Sequence, residues 1–76
     1  MNSSTIEQMI RSGMPDADVL VSGADGVHFE AEVVSATFAG KSTLKRHRMV
    51  YATLGEALGR EIHALGLRTL TPAERN

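Results

Sequence analysis

Three histidines, His28, His47 and His63, and no cysteine are the raw material for metal or proton chemistry in this 76-residue chain. Without a thiol, disulfides, thiolate sites and cysteine nucleophiles are excluded, so a metal would be held through imidazole or carboxylate. His28 alternates with Glu30 and Glu32 along one predicted strand face. Three such residues can be drawn as a metal site, although the same i, i+2, i+4 pattern is what any solvated strand face shows, and that plainer reading carries more weight. His63 follows Ile62 near the end of a predicted helix, off the centre of its apolar stripe, with Gly59 one turn earlier. Its neutral imidazole could ligate a metal. A last-turn position favours the protonated form instead, and spacing alone fits an ordinary helix-end histidine. His47 falls on the Leu44 and Tyr51 face of another predicted helix, which fits a hydrogen-bonded core histidine better than a ligand.

A second kind of chemistry lies in Lys41, Lys45, Arg46 and Arg48, half of the eight Lys and Arg, in a stretch from Val33 to Gly55 without an acidic residue. Lys41, Lys45 and Arg48, at i, i+4 and i+7, form one stripe with Arg46 beside it. Such a stripe can grip phosphates through counterion release, or can simply be a solvated helix face. No aromatics are interleaved for base stacking. Gly23-Ala24-Asp25-Gly26 has the GxxG spacing of nucleic-acid-binding KH loops, but it sits in a hairpin turn and presents Asp25 where a phosphate would lie, so it is set aside. There is no P-loop, HExxH or Ser-His-Asp arrangement, and nothing in the sequence supports an enzyme.

The elements that must position these residues can be read from periodicity. Ser4-Thr5-Ile6-Glu7 reads as a capping box, followed by Ile6, Met9, Ile10 and Met14 at helical spacing. Val19 and Val21, the turn at 23–26, and Phe29, Ala31 and Val33 predict a β-hairpin. Residues 41–51 predict a second helix. Thr53-Leu54-Gly55-Glu56 reads as another capping box, opening a third helix with Leu54, Leu58, Ile62 and Leu65 on one stripe and Gly66 as its stop. Leu67–Thr71 predicts a last strand ended by Pro72. The order is αββααβ, an α+β fold with a three-stranded mixed sheet. Two helices between the second and third strands imply a parallel, right-handed crossover. The starts of those two strands then share a sheet end, which predicts that His28 and His63 are neighbours in space.

The bulk numbers bound the rest. One domain, 1–76, is all that this length supports, and a large enclosed substrate cavity is not expected. The 42% hydrophobic and 22% charged content with a net charge of −1 is ordinary globular composition. No apolar run reaches membrane-spanning length and the first residues lack signal-peptide character, so a cytoplasmic chain without a membrane partner is expected.

The ordered combination of Phe38-Ala39-Gly40-Lys41-Ser42, Arg46-His47-Arg48-Met49-Val50-Tyr51, Ile62-His63-Ala64-Leu65 and Thr69-Leu70-Thr71-Pro72-Ala73-Glu74 resembles the BolA family over nearly the whole chain. Val34-Ser35-Ala36-Thr37-Phe38 agrees, and the short hairpin before His28-Phe29 is similar to the IbaG-type branch. The resemblance implies a class II KH-like fold and a monothiol glutaredoxin as partner. It further implies a 2Fe-2S cluster shared with that glutaredoxin and glutathione, not bound by this chain alone, with His63 as ligand. The family's second ligand, a His or Cys in the loop between the first two strands, has no counterpart within this short loop, and His28 at its far edge stands in for it. As a competing function the resemblance implies a DNA-binding transcriptional regulator, for which Lys41, Lys45, Arg46 and Arg48 would be the phosphate contacts. The chain alone is expected as a monomer or weak homodimer.

Overall fold

Apolar residues from three paired strands build the floor of the core. In the computed structural model, which describes residues 1–75, β1 (Asp18–Ser22) pairs antiparallel with β2 (His28–Val34), and β2 pairs parallel with β3 (Ala64–Leu70). The strand order is β1-β2-β3, so the mixed three-stranded sheet expected from the crossover is present. Val19, Phe29, Ala31, Val33 and Leu65 face the helices. The opposite face carries His28, Glu30 and Arg68 in the open, with Leu20 67% exposed beside them. No helix of the described residues is long and apolar enough to cross a membrane.

Helix α1 (Ser3–Gly13) lays Ile6 and Ile10 on that floor, both fully buried. Its cap is Asn2, whose Oδ1 accepts from the Thr5 backbone at 2.9 Å, and not the Ser4 box. Glu7, freed from a capping role, approaches Arg11 one turn on at 3.6 Å. Helix α2 (Thr43–Leu54) starts two residues later than its sequence pattern, where the Ser42 hydroxyl accepts from Lys45 N. The inward face of α2 is also rotated relative to the expected Leu44–His47–Tyr51 stripe. Val50 and Leu54 are buried, Arg46, His47, Met49 and Tyr51 are half-buried, and Leu44 is 60% exposed.

The third helix is where sequence pattern and structure part most. Leu54 ends α2, a single 3₁₀ turn follows over Gly55–Ala57, and β3 begins at Ala64 instead of Leu67. Gly55 has φ 54° and ψ −133°, a conformation open to glycine alone, and Gly59 has φ 91°. Two glycines four residues apart weaken any helix there, and the chain closes a tight loop in which the Ile62 backbone N–H donates to the Ala57 carbonyl at 2.9 Å. The stripe still does its packing, because Leu54, Ile62 and Leu65 reach the core from a helix end, a loop and a strand. Gly66 is no helix stop but lies within β3, beneath the Glu30 carboxylate. The last strand, in turn, gives way to α3 (Pro72–Arg75), where Pro72 takes the first helical position that tolerates it.

One glycine is demanded by packing. A Cβ on Gly23 would run into the Phe29 ring and sit 3.1 Å from the His28 carbonyl. Phe29 is core and cannot swing away, so Gly23→Ala is expected to cost about 1–3 kcal/mol, read as a lower urea midpoint at unchanged slope. Gly66→Ala meets only the free end of Glu30 and is expected to cost less.

Candidate functional site

The parallel register of β2 and β3 decides what meets at the sheet's end. His28, the first residue of β2, stands opposite Ala64, the first residue of β3. His63 immediately precedes Ala64. With paired strands about 4.8 Å apart and successive Cα atoms about 3.8 Å apart, the His28 and His63 Cα atoms lie within about 9 Å of one another. The expected juxtaposition is therefore present, produced by the crossover and not by local sequence.

His63 is held by its neighbours. Ile62 before it is fully buried, Leu65 two residues on belongs to the core, and the Tyr51 hydroxyl donates to the Leu65 carbonyl at 3.2 Å. The backbone is thus pinned on both sides while the imidazole is exposed. Because no helix ends at this point, the helix-dipole argument against neutral imidazole does not apply.

His28 is more organised than its exposure would indicate. Its Nδ1 lies 2.8 Å from Asp25 Oδ2, while Asp25 Oδ1 accepts from the backbone N–H groups of Val27 and His28, each at 2.9 Å. The hydrogen bond from His28, and after it those from the two backbone groups, holds the Asp25 carboxyl well below the usual carboxylate range. The GxxG spacing around Asp25 hides its role as partner of His28. The signal was there in the spacing, an Asp at a turn with a His three residues later, which is where an Asx-type turn places its side chain.

The remaining predicted residues separate. Glu30 overlies Gly66, and Glu32 approaches Arg68 at 3.9 Å across to β3. Among the described residues no group of three His, Asp or Glu is placed to hold a metal. His47 is half-buried and meets Tyr51 edge-to-face, with ring centroids 6.3 Å apart, instead of lying hydrogen-bonded in the core.

The basic segment divides in the same way. Arg46, with a side chain only 12% exposed, binds Glu74 through two nitrogens at 2.7 and 3.3 Å, and donates to the carbonyls of Lys41 and Thr69 at 3.0 and 3.4 Å. Its guanidinium also lies 5.8 Å from the Phe38 ring centroid. Arg46 is therefore a tie between α2, β3 and α3 and is not free to meet a phosphate. Lys41 donates to the Thr37 carbonyl at 2.8 Å but remains exposed. Lys45 and Arg48 are exposed and have no ion-pair partner among the described residues.

Glu74 is drawn down from 4.5 to about 2, first by its bond with Arg46 and then by the Thr71 backbone N–H. A carboxylate whose folded value is depressed adds stability that is complete above its unfolded value and lost as pH falls. Stability is accordingly expected to drop between pH 4.5 and about 2, and Glu74→Gln to flatten that limb in an acid titration followed by circular dichroism.

Comparison with known proteins brings these observations together. The model of a family described as BolA-like protein matches residues 7–74. Over 47 residues the chain is 51% identical to BolA-like protein 1 of Homo sapiens, a match that takes in 62% of this chain and 34% of that protein. It is 49% identical over 47 residues to the DNA-binding transcriptional regulator BolA of Escherichia coli K12, covering 62% and 45% respectively. The matched stretch thus spans between a third and a half of these two relatives. The structure of a bolA protein homologue from Coxiella burnetii superposes with a TM-score of 0.89 at 43% identity, over 99% of this chain and 96% of that one.

Proposed function

Because the chain belongs to the BolA-like protein family, we propose that it is a cytoplasmic, non-enzymatic iron–sulfur adaptor, pairing with a monothiol glutaredoxin and lending His63, with His28, to a 2Fe-2S cluster shared with that partner and its glutathione. The observation that carries this reading is the parallel register of His28 with Ala64, which sets two imidazoles at one end of the sheet. The donor set fits such a cluster in part. Two neutral imidazoles can serve one iron, as in Rieske centres, and the remaining ligands must come from another molecule because no third donor of this chain joins them among the described residues. An incomplete site is what a shared one requires. When bound, a cluster with imidazole in place of thiolate has a raised reduction potential, which suits transfer or sensing.

In this reading the chain's own residues do three things. Ile62, Leu65 and the Tyr51–Leu65 hydrogen bond hold the His63 backbone in place. The exposed ring is left accessible to a partner. Neutral imidazole, lastly, meets the requirement that a ligating histidine give up a proton. The test is a titration of cluster-loaded glutaredoxin with this chain, followed by visible absorption and circular dichroism. Wild type is expected to convert the spectrum to that of a mixed-ligand species, and identical spectra with wild type and His63→Ala would overturn the proposal.

A second reading, a DNA-binding regulator, is favoured by Lys45 and Arg48, exposed and without an ion-pair partner among the described residues, and by the Escherichia coli relative being a DNA-binding transcriptional regulator. In it Lys41 is an auxiliary contact and Arg46 is reserved for the fold. If it holds, a mobility-shift titration is expected to show a salt slope that falls by about one for each of Lys45→Ala and Arg48→Ala.

A further inference from the structure

A carboxylate that binds an imidazole decides which of its two nitrogens carries the proton. Asp25 is an acceptor only, and His28 Nδ1 lies 2.8 Å from its Oδ2, so in the neutral ring Nδ1 must be the protonated nitrogen. Nε2 is then left with a bare lone pair. The carboxylate is itself fixed, because Oδ1 is occupied by the Val27 and His28 backbone N–H groups and the turn passes through Gly26 at φ 72°. The hairpin turn, the carboxylate and the ring thus form one closed unit four residues long, Asp25 to His28.

We propose that Asp25 is a positioning residue, holding His28 as its Nδ1–H tautomer with Nε2 free to take a metal or accept a proton from a partner at the sheet end shared with His63. This rests on the reading of His28 as a ligand, and it gives a physical reason why a residue at the edge of a short loop can serve. Metal-binding histidines commonly donate their second ring N–H to a carboxylate, which sets ring orientation and raises ligand basicity. Here that outer contact exists before any metal arrives. Binding through Nε2 then displaces no proton and requires no rearrangement of the turn.

Asp25→Asn inverts the device with almost no change of shape. The amide oxygen can still accept from the two backbone N–H groups, whereas the amide nitrogen faces His28 Nδ1 and donates to it, which drives the proton to Nε2. An analogous carboxylate-to-amide change imposes the wrong histidine tautomer in serine proteases.

Long-range ¹H–¹⁵N correlation spectra of the isolated chain, recorded at pH about 8.5 where imidazole is neutral, read the tautomer directly. The expected result is Nδ1–H for His28 in wild type and Nε2–H in Asp25→Asn. A wild-type His28 found as Nε2–H, or the same tautomer in both proteins, overturns the proposal whatever the chain's function. The same variants are then mixed with cluster-loaded monothiol glutaredoxin. Asp25→Asn is expected to reproduce the altered spectrum of His28→Ala and to weaken cluster sharing about 10–100-fold, the usual effect of losing an outer-shell partner. A switched tautomer with a wild-type cluster spectrum overturns the positioning role while leaving the adaptor reading intact. An unaltered spectrum with His63→Ala overturns the adaptor reading and the role of Asp25 in it together.

Discussion

His63→Ala is expected to abolish the mixed-ligand spectrum that this chain forms with a cluster-loaded glutaredoxin, with a loss of cluster sharing greater than the 10–100-fold typical of an outer-shell change. The size follows from what is removed. His63 sits on a backbone pinned by Ile62 and Leu65 with its ring exposed, and among the described residues no group of three His, Asp or Glu is placed to hold a metal in its stead. Stability should change little, by no more than about 0.5 kcal/mol, since the residue is exposed. A large loss of cluster chemistry with an unchanged urea midpoint would therefore separate ligation from folding. His28→Ala is expected to give a smaller loss. His28 opens β2 with 76% of its side chain exposed, and its geometry depends on one carboxylate.

The second large effect is structural and falls on a residue that charge patterning assigns to nucleic acid. Arg46→Ala is expected to destabilise the fold by about 2 kcal/mol, because the Thr69 and Lys41 carbonyls lose a charged donor. A chain of this size has about 4–11 kcal/mol in hand and shifts its Tm by about 4–8 °C per kcal/mol. The variant should thus melt about 8–16 °C lower. Arg46→Lys is not expected to rescue it, since an ammonium cannot span both Glu74 oxygens and the two carbonyls. Lys45→Ala and Arg48→Ala should melt within a few degrees of wild type. A DNA-binding defect in an Arg46 variant would accordingly be read as partial unfolding, and only the Lys45 and Arg48 variants can report on phosphate contact.

The tie made by Arg46 also protects an edge. β3 has a free outer edge, and two of its carbonyls, Leu65 and Thr69, are covered by Tyr51 and Arg46 from α2. An edge strand left bare is a template for pairing with another chain, so a half-buried cation here is as useful to solubility as to stability.

Much of this was legible in the sequence because it depends on period and connection length. Alternation at Phe29, Ala31 and Val33 fixed a strand face, and the long connection to the last strand fixed a parallel pair, which together brought His28 and His63 to one end. What failed was local. The Ser/Thr-x-x-Glu pattern occurs three times, and two of these were read as helix starts. Ser4 lost to Asn2, two residues earlier, whose side chain accepts from the Thr5 backbone N–H. Thr53 lies inside α2 and bonds back to the Val50 carbonyl at 2.6 Å. The third, Thr71-Pro72-Ala73-Glu74, is the true reciprocal box, with Thr71 N on Glu74 Oε1 at 2.8 Å and Glu74 N on Thr71 Oγ1 at 3.2 Å. Its signal is masked in the sequence because Pro72 both ends a strand and opens a helix. Likewise the stripe of Leu54, Leu58, Ile62 and Leu65 has helical spacing, but Gly55 and Gly59 make non-helical backbone cheap at the two places where the chain turns. Burial of Ile62 was satisfied by a loop. The structural tie made by Arg46 is illegible in the sequence for a different reason. Its partners, Thr69 and Glu74, lie 23 and 28 residues away and carry no mark in the basic segment itself.

The central claim, that His63 and His28 ligate a cluster completed by another protein, is open to direct observation. This chain, labelled with ¹⁵N-histidine, is combined with an unlabelled cluster-loaded monothiol glutaredoxin, the cluster is reduced by one electron, and pulsed electron paramagnetic resonance is recorded. Two strong ¹⁵N couplings are expected, one of them lost in His63→Ala and the other in His28→Ala. A spectrum without any strong ¹⁵N coupling in the wild-type complex would contradict the account.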